Sequence, residues 1–386
     1  ESPIDLRHAE ITNVTVVYRT PTTDDTEFVL DNFTVETIES GRQQLDGQGR
    51  FTDIPFTLTG NAGDEDAELE ATFGDVRFSS TTQYARDSID IDISLGSLEN
   101  VGTLIEVENL PAEDLTLAGN IAVRGKTVVL SNLVAGLADA RLTINGELDG
   151  ADSTGKLTLE AEGDSLGVFS PDLPAIPFSG TANVGLAEAS VDLDPFEIRF
   201  GDSDLSGQLH VEDGDTSVLR LEARSSLIDL SPFESGDEQV DEGKGTAAAD
   251  EPDSRYVFED EPLQLDALHG FEAQVDIGIE RLRTSTTELR SLIVAATIED
   301  GNLEFDNSFL GRYGGKFENR LEITTTGDQA DMKIAAKARD LKVGLLSGPD
   351  IPEDLVPASV VDVDISATGS SPRALAASAH GKVVFT

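Results

Sequence analysis

The stretch FEIRFGDSDLSGQLHVEDGDTSVLRLEARSSLIDL, residues 196–230, decides how the rest of the chain is read. Phe196, Ile198 and Phe200 alternate with polar residues, and a Gly-Asp-Ser-Asp turn follows at 201–204. Leu209 and Val211 continue at period two, and after Asp213-Gly214-Asp215 the alternation returns at Leu219, Leu221 and Ala223. Alternation of this kind gives a strand one apolar and one polar face. Gly and Asp clusters at the breaks mark tight reversals. The stretch is therefore one unit of a long antiparallel meander.

Variants of it recur outward in both directions. On the N-terminal side, 11–18 and 28–38 read as strands, and Ile89, Ile91, Ile93 and Leu95 keep a clean period of two. Leu142, Ile144 and Leu148 alternate around Gly146, and Leu157, Leu159 and Ala161 answer them across Asp149-Gly150. On the C-terminal side the apolar positions are Val275, Ile277 and Ile279, then Leu303 and Phe305 after the hairpin signal Asp300-Gly301. Leu321 and Ile323, Ile334 and Ala336, and Val361, Val363 and Ile365 follow. Gly41 and Gly47 read as breaks around Leu45, and Pro55 as an interruption of 51–58. The Pro-rich run 171–177 reads as a connection over an edge, because proline cannot join a central ladder. Short helices are expected within 103–110, 262–269 and 341–355. Another is expected over 373–379, where Ser371-Pro372 is a good start. Residues 382–385 start a further strand, and the chain reads as a piece of a longer protein.

Residues 235–254 break the pattern. Val240 is their one large aliphatic side chain, and such a segment buries too little surface to repay its ordering entropy. The expected organisation is a β region over 1–234, an acidic insert over 235–256 and a second β region over 257–386.

Composition narrows the function. The formal net charge of −47 repels nucleic-acid phosphates and anionic membrane surfaces. The acids are spread along the whole chain, which suits a solvated outer face in a salty environment. With no cysteine there is no disulfide framework and no thiolate chemistry. His8, His210, His269 and His380 lie far apart, without metal-ligand spacing, so no metal or cofactor is expected. The Gly-rich run 311–315 lacks the spacing of a phosphate loop and reads as a bulge or turn. Asp213-Gly214-Asp215 lacks the rest of a calcium loop, and there is no GxSxG. Nothing reads as an enzyme.

The ordered set of motifs resembles AsmA-like proteins. GDSDLSGQLHV at 201–211 is followed by 219–223 and 227–230. After the acidic insert come 261–268, 275–279, 298–303, Tyr313-Gly314-Gly315, and 369–376 with Gly381. The segments 11–18 and 30–33 are similar to the family's middle region. The resemblance implies a Gram-negative envelope protein: a membrane helix in the inner membrane, then a long curled sheet reaching through the periplasm. It implies a role in outer-membrane biogenesis and phospholipid traffic, with membrane contact made through segments outside this sequence.

The expected fold is mainly β, an elongated, twisted antiparallel sheet curled into a β-taco-like groove, with a few short helices. A sheet with one apolar face must cover it. With about 25 strands spaced ~4.8 Å apart, a trough on the order of 120 Å results. The groove candidates are Ile91, Ile93, Leu142, Ile144, Leu157, Leu159, Phe196, Ile198, Phe200, Leu209, Val211, Leu219, Leu221, Val275, Ile277, Ile279, Leu303, Phe305, Ile323 and Ile334. Such a lining suits phospholipid acyl chains. Two readings stay open beside it: a closed core in a structural or adhesive β-repeat protein, and an enzyme built on a β-helix.

Overall fold

The computed structural model describes residues 8–18, 26–38, 41–51, 54–85, 88–105, 110–150, 153–170, 172–214, 216–234, 261–311, 315–342 and 358–386. The expected insert and the helix expected within 341–355 fall outside or almost outside these ranges. The chain divides into two compact units, Glu1–Ser179 and Gly180–Thr386. It is built on open, mainly antiparallel sheet, not closed into a barrel, with few short helices.

The first unit holds β1 (His8–Tyr18), β2 (Thr26–Thr37), β3 (Gln43–Phe51), β4 (Ile54–Ala62), β5 (Asp66–Phe73) and β6 (Val76–Tyr84). It continues through β7 (Ser88–Leu95), α1 (Leu98–Ile105), β8 (Leu115–Arg124), β9 (Thr127–Leu137), β10 (Ala140–Asp149) and β11 (Thr154–Gly163). Each strand pairs antiparallel with the next. Two expectations are corrected here. Gly47 does not break the chain but sits inside β3, opposite Phe33 and Leu58. A Cβ there would stand 3.0 Å from the Phe33 ring, so the ring fills the place of the missing side chain. Pro55 is the second residue of β4, where a missing N–H costs least. The helix expected within 103–110 meets α1 at the last residues of α1, 103–105, and residues 106–109 lie outside the described residues.

β12 (Phe178–Ala187) begins at the boundary. The second unit continues with β13 (Ser190–Phe200), β14 (Ser203–Glu212), β15 (Ser217–Ser225), β16 (Ile228–Asp229) and β17 (Phe271–Arg283). Then come β18 (Glu288–Glu299), β19 (Asn302–Leu310), β20 (Lys316–Thr326), β21 (Gln329–Leu341), β22 (Ser359–Gly369), α2 (Pro372–Ser378) and β23 (His380–Phe385). Asp300 and Gly301 form the two-residue link between β18 and β19, both at positive φ (50° and 76°), as the primed hairpin turn requires. Ser371 caps α2 through its side chain, with proline in the first turn.

Among the described residues two pairings depart from the antiparallel meander: β15 and β16 both pair with β17 in parallel. A parallel neighbour needs a crossover of a dozen residues or more, and residues 230–270 separate β16 from β17 in sequence. In sequence the expected acidic insert falls between these parallel partners, which the alternation pattern does not reveal. The segment read as a short helix over 262–269 contributes a 3-10 turn, Leu265–Leu268.

Register shifts punctuate the pairings at Leu30/Asn32, Ala118/Asn120, Ile144/Gly146, Leu193/Phe196, Arg290/Ile293 and Ala338/Leu341. An unreset one-residue slip would turn every later side chain to the wrong face. Bulges at these points absorb the extra residue and bend the strand. Asn132, Ser291 and Asp340 take positive φ at or beside three of them.

Candidate functional site

The pairing register converts isolated alternations into rows that cross the sheet. In the second unit one row runs Leu193, Leu209, Leu221, Val275, Ala296, Phe305, Leu321, Ile334 and Ile365, strand after strand. The next runs Val191, Val211, Leu219, Ala273, Ile298, Leu303, Ile323, Met332 and Ala367. A third begins Phe196, Gly207, Ala223, Ile277 and Val294. Ile279 lies beside it, opposite Leu292. Ile198 and Phe200 share the face through Leu205 and Ser203. The candidates of this unit therefore lie on a single face.

The first unit does the same. Ile93, Leu117, Ala135 and Leu142 form one row. Ile144 pairs with Leu159 and Leu133, and Leu157 faces Gly146. Ile91 lies on the Ile93 side of β7, opposite Gly119. The groove candidates include none from β2 to β6, where Phe33, Val35, Leu45, Leu58, Leu69 and Phe78 occupy the same face. Glycines take apolar positions among them and blur the alternation. Phe28, Phe56 and Phe73 stack in sequence there, with centroids 5.1 and 5.4 Å apart, and the Phe56 ring lies over Gly49.

These faces are half-open. Among the described residues no large side chain is fully buried, and the buried apolar residues are mostly alanine and valine. Phe196 is the best covered candidate at 6%, whereas Ile198 stands 43% exposed. A sheet face in a two-layer core would be covered by its partner layer; this one keeps solvent contact along the rows.

The Gly-Asp-Ser-Asp signature does something the sequence did not show. Gly201 and Asp202 make the turn, while Ser203 and Asp204 already belong to β14. The Asp204 carboxylate accepts the N–H groups of Ser226 and Leu227, both at 2.9 Å, and the hydroxyls of Ser225 and Ser226. Burial opposes its ionisation, but these donors outweigh it and hold the carboxyl below the usual carboxylate range. Ser203 Oγ accepts the Asp229 N–H at 2.8 Å. Buried Asp229 accepts the Ser231 hydroxyl and N–H and pairs with Arg283 at 3.1 Å. The Ser231 hydroxyl above all, against burial, lowers the Asp229 pKa as well. The network turns the chain out of β15 and sets Phe233 edge-on against Phe200, at 6.0 Å.

The opposite face is charged. Arg320 reaches Glu322, Glu304 and Asp306 there, and Arg224 reaches Asp276. The histidines stay apart: His8 meets Glu36, His210 meets Asp192, His269 meets Thr325 and His380 meets the Ser378 carbonyl. Among the described residues no three metal-binding side chains converge, and no helix is long and apolar enough to cross a membrane.

Residues 200–386 match the model of the AsmA family, a span that opens on the signature turn and runs through the parallel join to β23. No curated protein and no solved structure matches the chain. At family level the match supports a role in envelope assembly or lipid transport. Signature, sheet and match converge: over residues 200–386 this chain is AsmA-like.

Proposed function

We propose that the chain is the periplasmic part of an inner-membrane-anchored protein that carries phospholipid acyl chains along its apolar sheet faces toward the outer membrane. The observation that carries this reading is the succession of half-exposed apolar rows within each unit, continued from strand to strand by the register. An acyl chain of ~16 methylenes drawn through water forfeits about 13 kcal/mol of burial, at ~0.8 kcal/mol per CH2. A lining of Leu, Ile, Val and Phe matches the bilayer interior and removes that cost without holding the lipid in a deep well. The headgroup stays in water at the open edge. No catalytic step and no cofactor are required. Photo-crosslinkers at Leu209, Ile277 and Phe305 in cells are expected to capture phospholipid. A functional protein that captures none at any of the three would end the reading in favour of a closed structural core.

A further inference from the structure

One row of the second unit's apolar face carries amides. Asn307 of β19 pairs in register with Asn319 of β20, between Val294 of β18 and Ala336 of β21. The neighbouring row on one side is Ala296, Phe305, Leu321 and Ile334. On the other side Phe309 and Phe317 stack at 4.7 Å, next to Ala338. Asn319 Nδ2 donates to Asn307 Oδ1 at 2.7 Å, in a partly buried bond. That bond uses two of the pair's four polar side-chain atoms, one as donor and one as acceptor. Asn307 Nδ2 and Asn319 Oδ1 have no further partner among the described residues. Neither is sealed in, since the one buried side-chain polar atom without a partner there is Asn32 Oδ1.

Amides in an apolar row cost free energy unless something satisfies them. Register alone does not require them, because the flanking pairs Phe305/Leu321 and Phe309/Phe317 already hold β19 to β20 with apolar contacts. The chemistry of a partner that would replace water at the amides is constrained. The charged residues of these two strands, Glu304, Asp306, Glu318, Arg320 and Glu322, alternate onto the other face and pair among themselves and with neighbouring cations. With no cation on the amide row, a phosphate finds only neutral donors where anion sites use charged ones. A neutral acceptor attached to an apolar body fits better. The two aromatic-bearing rows on either side would take that body.

We propose that the Asn307–Asn319 pair, through the N–H groups of Asn307 Nδ2, binds an ester carbonyl of acyl-glycerol lipids, so that this part of the face distinguishes acyl esters from ether-linked chains. The proposal rests on the lipid-carrying reading above and names its substrate class. The test incubates the 386-residue chain with detergent micelles holding equal amounts of diacyl and dialkyl phosphatidylethanolamine of matched chain length. Bound lipid is then weighed by mass spectrometry. Wild type is expected to take up the diacyl lipid about 3- to 10-fold in preference, the ratio one neutral hydrogen bond provides. The double variant Asn307→Leu, Asn319→Leu, of similar shape, is expected to bind both lipids equally well. Equal uptake by wild type overturns the proposal without any variant, as does a folded double variant that keeps the preference. Binding of neither lipid overturns the lipid-carrying reading itself, and the amide proposal with it.

Discussion

β15 is the rung at which the proposed path is most easily cut. Its apolar face offers Leu219, Leu221, Ala223 and Ser225, so two leucines provide all its large apolar surface. Leu219 joins Val211 to Ala273 and Leu221 joins Leu209 to Val275. Replacing both with glutamate leaves a hydrated strip one strand wide. At ~4.8 Å per strand, an acyl chain crossing it loses apolar contact over about four methylenes, or ~3 kcal/mol at ~0.8 kcal/mol per CH2. As an added barrier, that slows passage about 100-fold. The assay is a pulse of labelled, newly made phospholipid in cells, read by photo-crosslinkers at Leu193 and at Phe305, which flank β15 in the same row. One of the two positions is expected to fill at the wild-type rate and the other about 100-fold more slowly, whichever way lipid moves. Arg220→Glu, on the opposite face of the same strand, is the control and is expected to leave both rates unchanged. If the double variant unfolds at the wild-type temperature yet both positions fill normally, lipid does not travel over this face.

Two further outcomes test the architecture beneath that path. A Cβ on Gly207 would lie 2.0 Å from the Glu222 carbonyl oxygen and 2.9 Å from Ala223 Cα, so Gly207→Ala must push β14 from β15. It is expected to cost about 1–3 kcal/mol in urea unfolding, the usual range for overpacking. The carboxyls of Asp204 and Asp229 are both lowered in the folded state, so the unfolded chain takes up protons first as pH falls. Their stabilisation is complete above the unfolded pKa of about 3.9 and fades as pH drops through the lower folded values. Asp204→Asn is expected to lower the urea midpoint at pH 7 and to flatten its decline below pH 4; a slope identical to wild type would remove Asp204 from the account.

The strands themselves were legible in the sequence because period-two alternation is a property of each strand taken alone. Val275, Ile277 and Ile279 declare a face without reference to any neighbour. The Asp300-Gly301 link and the Ser371-capped helix were legible for the same reason, since a few adjacent residues set the backbone there. Where glycine occupies an apolar position, as at Gly47, the face is completed by the Phe33 ring of another strand, and the local pattern fails. The side chain of Asp204 could not be assigned a task from its neighbours, because its donors at Ser226 and Leu227 arrive from the far end of β15. The parallel join of β15 to β17 was equally hidden: alternation is blind to strand direction, and the crossover looks like an interruption.

The sequence by itself thus determined which side chains share a strand face and that the chain would form sheet. Tertiary structure alone decided which strands are neighbours, in which direction and at what register. Only that register aligns Leu209, Leu221, Val275 and Phe305 into one apolar row, and places Asn307 beside Asn319 within the same face. The physical reason is that side-chain periodicity is fixed by covalent geometry within a strand. Pairing is fixed by hydrogen bonds and contacts between segments that, like β15 and β17, stand dozens of residues apart.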